Sequence, residues 1–203
     1  MIAIIDYGVG NLYSLKSSFA AIGEEVKVTC DETVIDAADG IILPGVGAFK
    51  DAAEKLNASG MADVIKKQAE KGKKIMGICL GMQLLFNKSY EHGEYDGLGL
   101  IHGEIVPIEE HINKNLKIPH IGWNSLKITD SKCPLFKYIN DGDFVYFVHS
   151  YFADKCKNAV VAVTEYDAEL TAAVQKNNVF GCQFHPEKSG DVGLSILKAF
   201  CEI

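Results

Sequence analysis

The sequence predicts an α/β fold: a central, mostly parallel sheet flanked by helices, with antiparallel additions in the second half. Three observations predict it. Short apolar runs alternate with amphipathic ones through the first half, the pattern of strand–helix–strand units. Several of those runs are apolar without alternation, as expected of strands buried on both faces. In the second half, strand-like segments follow one another closely, the spacing of antiparallel neighbours.

Ile2–Ile5 opens the chain as a doubly buried strand. Asn11 is placed to cap a helix through Ala21, with Leu12, Leu15, Phe19 and Ile22 on one stripe. Glu25–Thr29 and Gly40–Leu43 read as the second and third strands, the latter ending at Pro44. Phe49–Leu56 and Met61–Lys71 read as helices joined through Asn57–Gly60. Lys74–Ile78 is a fourth strand, and Leu80–Phe86 a helix directly behind it. Strand-like segments follow near Leu98–Ile101, Glu104–Ile108, Ile121–Ile128, Phe144–Val148, Ala159–Thr164 and Val179–Phe184. Gly190–Phe200 closes the chain as a helix. With no Pro/Ser-rich linker, repeat or low-complexity tract, residues 1–203 read as one domain.

Composition narrows the function. Hydrophobic residues make up 48% of the 203, enough for a full core, and charged residues 23%. Lys plus Arg is 20 and Asp plus Glu is 27, a net charge of −7, which argues against a nucleic-acid binder. The basic cluster Lys66, Lys67, Lys71, Lys73 and Lys74 reads as a solvated helix end. The N-terminus lacks the features of a signal peptide, and no run approaches the ~20 apolar residues of a spanning helix. A cytoplasmic chain with no membrane partner is expected, its six cysteines mostly free. Without a C-x-x-C pair, and with His92, His102, His111 and His120 spread nine or ten residues apart, no metal site is expected. Gly8-Val9-Gly10 begins a dinucleotide fingerprint, but Tyr13 stands where its third glycine belongs.

One cysteine is set apart. Cys79 stands between strand Lys74–Ile78 and the following helix, with Gly77 and Gly81 two residues to either side. Gly-x-Cys-x-Gly at a strand-to-helix turn is the nucleophile-elbow pattern, in which small flanking residues admit the sharp turn. The helix N-terminus favours thiolate, and the Leu80 N–H is placed as an oxyanion donor. A buried structural cysteine is the competing reading. Gln183-Phe184-His185-Pro186-Glu187 supplies a partner: in extended chain, residues two apart share a side, so Glu187 can hold one ring nitrogen of His185 and leave the other for a thiol. Cys79, His185 and Glu187 are thus nucleophile, base and orienter. Pro44-Gly45-Val46-Gly47-Ala48 also follows a strand, and its glycines free the backbone to turn an N–H of Val46 or Gly47 inward as the second oxyanion donor.

These residues resemble the class I, triad-type glutamine amidotransferases: the G-x-C-x-G elbow running into C-L-G-M-Q, the later H-P-E and the early P-G-x-G loop, over essentially the whole chain. Ile5–Leu12, Pro44–Phe49, Gly97–Leu100, Pro119–Asn124 and Tyr146–Tyr151 narrow the resemblance to the glutaminase subunits of imidazole glycerol phosphate synthase. The resemblance implies a flavodoxin-like fold. It implies hydrolysis of glutamine to glutamate and ammonia through a Cys79 thioester, with no cofactor. It also implies a heterodimeric partner, a barrel-shaped synthase (cyclase) subunit. There the ammonia forms imidazole glycerol phosphate and a carboxamide ribotide in histidine biosynthesis. Carried over by position, Gly45, Gln83 and Glu91 hold the substrate glutamine, and the backbone N–H groups of Ser150 and Tyr151 hold its carboxylate. Trp123, the single tryptophan, becomes an interface anchor, with Asn11 and the Gly8–Gly10 loop facing the same partner. Two other readings remain: a stand-alone γ-glutamyl hydrolase of the same fold, disfavoured by the motifs outside the triad, and a non-catalytic assembly subunit, disfavoured by the intact triad.

Overall fold

A computed structural model describes residues 1–113 and 115–203. In chain order its elements are β1 (Ile2–Ile5), α1 (Leu12–Ala21), β2 (Val26–Thr29), α2 (Glu32–Ala37), β3 (Gly40–Leu43), α3 (Phe49–Ala58), α4 (Met61–Glu70), β4 (Lys74–Ile78) and α5 (Leu80–Leu84). There follow β5 (Lys88–Ser89), β6 (Tyr95–Asp96), β7 (Glu104–Pro107), β8 (His120–Ser125), β9 (Lys127–Ile128), β10 (Phe144–His149) and β11 (Tyr151–Asp154). The chain ends with β12 (Val160–Glu165), β13 (Glu169–Lys176), β14 (Val179–Cys182) and α6 (Gly190–Glu202).

The main sheet has the order β2-β1-β3-β4-β14-β13-β12-β9. Its first five strands are parallel, and β14, β13, β12 and β9 then pair antiparallel. This is the mostly parallel sheet with antiparallel additions that the sequence predicts. Every residue of β1, β3 and β14 is buried, so these strands need no polar face. One core lies between the sheet and α3, α4 and α5, and another lies under α1 and α6 on the opposite face. A two-stranded antiparallel ribbon, β8 with β10, and a four-stranded sheet, β11-β7-β5-β6, stand beside the main sheet.

The structure departs from the sequence reading in identifiable places. Leu98–Ile101 is not a strand. The N–H groups of Leu98, Gly99 and Ile101 donate to the carbonyls of Leu84, Phe86 and Leu85, so this segment closes the C-terminal end of α5. Ile121–Ile128 is not one strand: it divides at buried Leu126 into β8 and β9, which join different sheets. Strand β13, unread in the sequence, contains Ala172 and Ala173, weak strand formers held extended by β12 and β14 on either side. Helix α2 was also unread, though Asp31 accepts from the Thr33 N–H as its cap. That helix settles the lysine cluster. Lys67 pairs with Glu32 at 2.5 Å and Lys71 with Asp36, and Lys73 Nζ donates to the carbonyls of Ile35, Asp36 and Ala38 at the end of α2. Lys67, Lys71 and Lys73 thus contact α2, while the Lys67 and Lys71 side chains stay about half exposed, as a solvated helix end does.

Candidate active site

Parallel β4 and β14 run side by side, and the Cys79 N–H continues their ladder by donating to the Cys182 carbonyl at 2.8 Å. Cys79 then turns sharply at φ 54°, ψ −113°, a conformation a side chain tolerates only when the surroundings impose it. They do so through close backbone approach. A Cβ on Gly81 would lie 1.9 Å from the Leu43 carbonyl oxygen, and one on Gly77 would lie 2.6 Å from the Gly81 oxygen. The glycine spacing read from the sequence is thus a packing requirement of the elbow.

His185 follows the end of β14 and brings its ring to the elbow. Its Nδ1 lies 2.8 Å from Glu187 Oε1, and both side chains are buried. The pair meets as expected but not along extended chain: Pro186–Lys188 form a single 3₁₀ turn, opened by Pro186 with its fixed φ. The turn is braced by Ser189, whose hydroxyl donates to the His185 carbonyl at 2.6 Å and accepts from the Tyr146 N–H at 2.9 Å. Burial opposes charge on the imidazole. Hydrogen bonding to Cys79 and Glu187, with their negative charge, outweighs burial and raises the pKa of His185 from 6.5 to about 9. At neutral pH the ring is an imidazolium beside the sulfur.

Cys79, Leu80, Gln83, Glu91, Ser150, Tyr151, His185, Val46 and Gly47 line one cavity of about 540 Å³. The structure therefore gathers at one place residues that lie as much as 139 positions apart (185 − 46). Gly45 stands behind the wall: a Cβ there would lie 2.5 Å from the Gly81 N, so it packs against the elbow. Leu80 is the first residue of α5, whose N–H has no acceptor within the helix. Glu91 Oε2 accepts the Phe49 N–H at 2.5 Å, supplying the side-chain cap that Ala48 cannot give α3 and tying the cavity wall to the Gly45–Ala48 loop.

Gln83 Nε2 donates to the Tyr151 carbonyl at 3.1 Å and to Gln183 Oε1 at 2.9 Å. With both hydrogens of its amide committed, Oε1 is the atom left to accept, the polarity an ammonium group requires. His149 Nδ1 reaches the same Tyr151 carbonyl at 2.9 Å, so this nitrogen carries hydrogen and the ring fixes the Ser150–Tyr151 backbone. Burial pushes the pKa of His149 down to about 3, keeping it neutral. His149, Glu109 and His92 also line the cavity, and the sequence assigns none of them a role in the site. The signal near His149 is the Tyr146–Tyr151 motif, in which only Ser150 and Tyr151 are given a substrate role.

Trp123 and Asn11 lie outside this cavity. Trp123 is 52% exposed on β8, between Ile121 at 58% and, across the ribbon, Phe144 at 56%. Side chains two apart on a strand share a face, so these three, with half-buried Tyr146 and Val148, form one apolar surface. Val148 and His149 at the end of β10 reach the cavity wall. Asn11 Oδ1 accepts the Ser14 N–H and caps α1. Its loop touches the Pro44 segment, since a Cβ on Gly10 would lie 2.9 Å from Pro44 Cβ and Tyr7 donates to the Pro44 carbonyl at 2.7 Å. Among the described residues no cluster of His, Cys, Asp and Glu is arranged to hold a metal, and no helix is long and apolar enough to cross a membrane.

Known proteins resemble this chain along its length. The family "Glutamine amidotransferase class-I" matches residues 3–202. A protein of Caldanaerobacter subterraneus named "Imidazole glycerol phosphate synthase subunit HisH" is 52% identical, covering 100% of this chain and 98% of that one. A protein of the same name from Lactococcus lactis is 48% identical over 99% and 98% of the two chains. Among solved structures, "Structure of PurLQS from Thermotoga maritima" superposes with a TM-score of 0.76 over 99% of this chain and 97% of that one. Its 22% identity makes this a likeness of fold. With the family model matched over residues 3–202 and relatives about half identical along their whole length, the chain belongs to the class-I glutamine amidotransferase family.

Proposed function

We propose that the chain is the glutaminase subunit of imidazole glycerol phosphate synthase. It hydrolyses L-glutamine to glutamate and ammonia and passes the ammonia to a separate cyclase subunit in histidine biosynthesis. The observation that carries the reading is the placement of Cys79 on a strained elbow, in one cavity with a histidine ring held by buried Glu187, in a chain 52% identical to a protein named as that subunit.

The chemistry follows from these positions. Glutamine enters with its ammonium group toward Glu91 and Gln83 Oε1 and its carboxylate toward the Ser150 and Tyr151 N–H groups. The Cys79 thiolate attacks the side-chain amide carbon, and the oxygen takes up negative charge facing the Leu80 N–H and an N–H of the Val46–Gly47 segment. His185 gives its proton to the nitrogen, the C–N bond breaks and ammonia leaves a thioester on Cys79. The neutral imidazole then takes a proton from water, which attacks the thioester, and glutamate and the thiol are restored. Glu187 keeps the ring oriented and stabilises its charged form throughout.

The apolar face of Ile121, Trp123 and Phe144 is the surface for the cyclase, and a partner seated there touches the ribbon whose end forms the cavity wall. Glutamate release measured with and without a cyclase subunit and its nucleotide ligand tests the reading. Turnover should rise when both are added. Turnover of glutamine that the cyclase leaves unchanged would contradict a partner-dependent glutaminase.

A further inference from the structure

The side chain of Gln183 belongs to no part of the triad, yet it is fully buried beneath the nucleophile. Its Nε2 lies 3.7 Å from Cys79 Sγ, hydrogen-bonding distance for an N–H and a sulfur. The polarity of this contact is fixed from the far end of a relay. The Tyr151 carbonyl can only accept, so Gln83 must turn its NH₂ toward it. The same NH₂ faces Gln183, which must therefore present its oxygen there. The remaining end of Gln183, its NH₂, is left pointing at the sulfur. Reversing either amide would set donor against donor or acceptor against acceptor in a buried place, where unpaired polar groups are costly. His149, donating to the same carbonyl, adds a second donor at the relay's anchor.

We propose that Gln183 is a further catalytic residue, which donates an N–H to the Cys79 sulfur and favours its anionic form, and that Gln83 and the Tyr151 carbonyl orient it. The proposal rests on Cys79 being the nucleophile. It gives Gln83 two tasks, presenting Oε1 to the substrate and aiming the Gln183 amide. It also connects the sulfur to the Ser150–Tyr151 backbone through three hydrogen bonds: Tyr151 to Gln83, Gln83 to Gln183 and Gln183 to Cys79.

The test is iodoacetamide alkylation of the full chain, read residue by residue by peptide mass spectrometry as a function of pH, because thiolate is the reacting species. Exposed Cys30 is the internal reference. In the wild type, Cys79 should react faster than Cys30 at neutral pH; if it does not, the nucleophile reading itself fails. In Gln183→Leu, the Cys79 rate at neutral pH should fall about tenfold and its pH profile move upward, with Cys30 unchanged. A Cys79 rate equal to the wild type would overturn the proposal. Gln83→Leu leaves Gln183 in place without its anchor. A fall in the same direction supports the relay, an unchanged rate overturns the orienting role, and this variant carries the test should Gln183→Leu not fold.

Discussion

His185 Nδ1 lies 2.8 Å from Glu187 Oε1, in a site where the two side chains are 4% and 2% exposed. A carboxylate so deeply buried is tolerable only beside a positive charge, and the imidazolium supplies it. Glu187→Gln preserves the shape and removes the charge. Glutaminase kcat should fall about 10²- to 10⁴-fold with little change in KM for glutamine, because the loss is in stabilising the imidazolium rather than in binding. Steady-state kinetics of the variant in complex with the cyclase would check this, and a rise in KM at unchanged kcat would contradict it.

The same pair sets a pH dependence with a definite sign. The pKa of His185 is raised on folding from 6.5 to about 9, so the folded state holds the proton more tightly than the unfolded chain. The stability this contributes is fully present below 6.5 and is lost as pH rises through about 9. In urea unfolding, the gap between wild type and His185→Asn should be wider near about pH 6 than near about pH 10. Equal gaps would mean that the ring's charge adds nothing.

Close backbone approach at the elbow predicts unequal costs for two glycines. Gly81→Ala would set its Cβ 1.9 Å from the Leu43 carbonyl oxygen, which no side-chain movement relieves, and should destabilise by about 3 kcal/mol or more. Gly47→Ala meets nothing within 4 Å and bears only the strain of φ +90°, costing about 1 kcal/mol. Denaturant midpoints of the two variants would show the order, and equal losses would argue against packing as the reason for the elbow glycines.

Trp123 is half exposed and packs edge-on to Tyr146, with ring centroids 6.0 Å apart. Trp123→Ala should leave the unfolding midpoint of the isolated chain nearly unchanged. It should weaken binding to the cyclase by about 2 kcal/mol or more, roughly thirtyfold in Kd. Calorimetric titration would measure it. An unchanged Kd together with a lowered midpoint would make Trp123 a packing residue instead.

The parallel half of the sheet was legible because Ile2–Ile5 and Gly40–Leu43 are apolar throughout, and burial on both faces leaves that mark on any sequence. The gathering of Cys79, His185 and Glu187 was legible because an elbow needs glycines at fixed offsets and because His185 and Glu187 are near in sequence. Strand β13 was not, since its alanines are extended only through their neighbours. Leu98–Ile101 misled because its apolar residues pack under a helix end instead of pairing in a sheet. Gln183 lay in the same short motif as His185, two residues before it, but an amide acquires a role only from what it faces. Its partners come from positions 79 and 83, with Tyr151 anchoring the relay.

The central claim is that Cys79 makes ammonia for another subunit's chemistry. The most direct measurement is product formation by the complex of Cys79→Ala with the cyclase, supplied in turn with glutamine and with ammonium salt. Synthesis from ammonium at the wild-type rate, with none from glutamine, is the predicted result. Synthesis from glutamine that survives the substitution would contradict it.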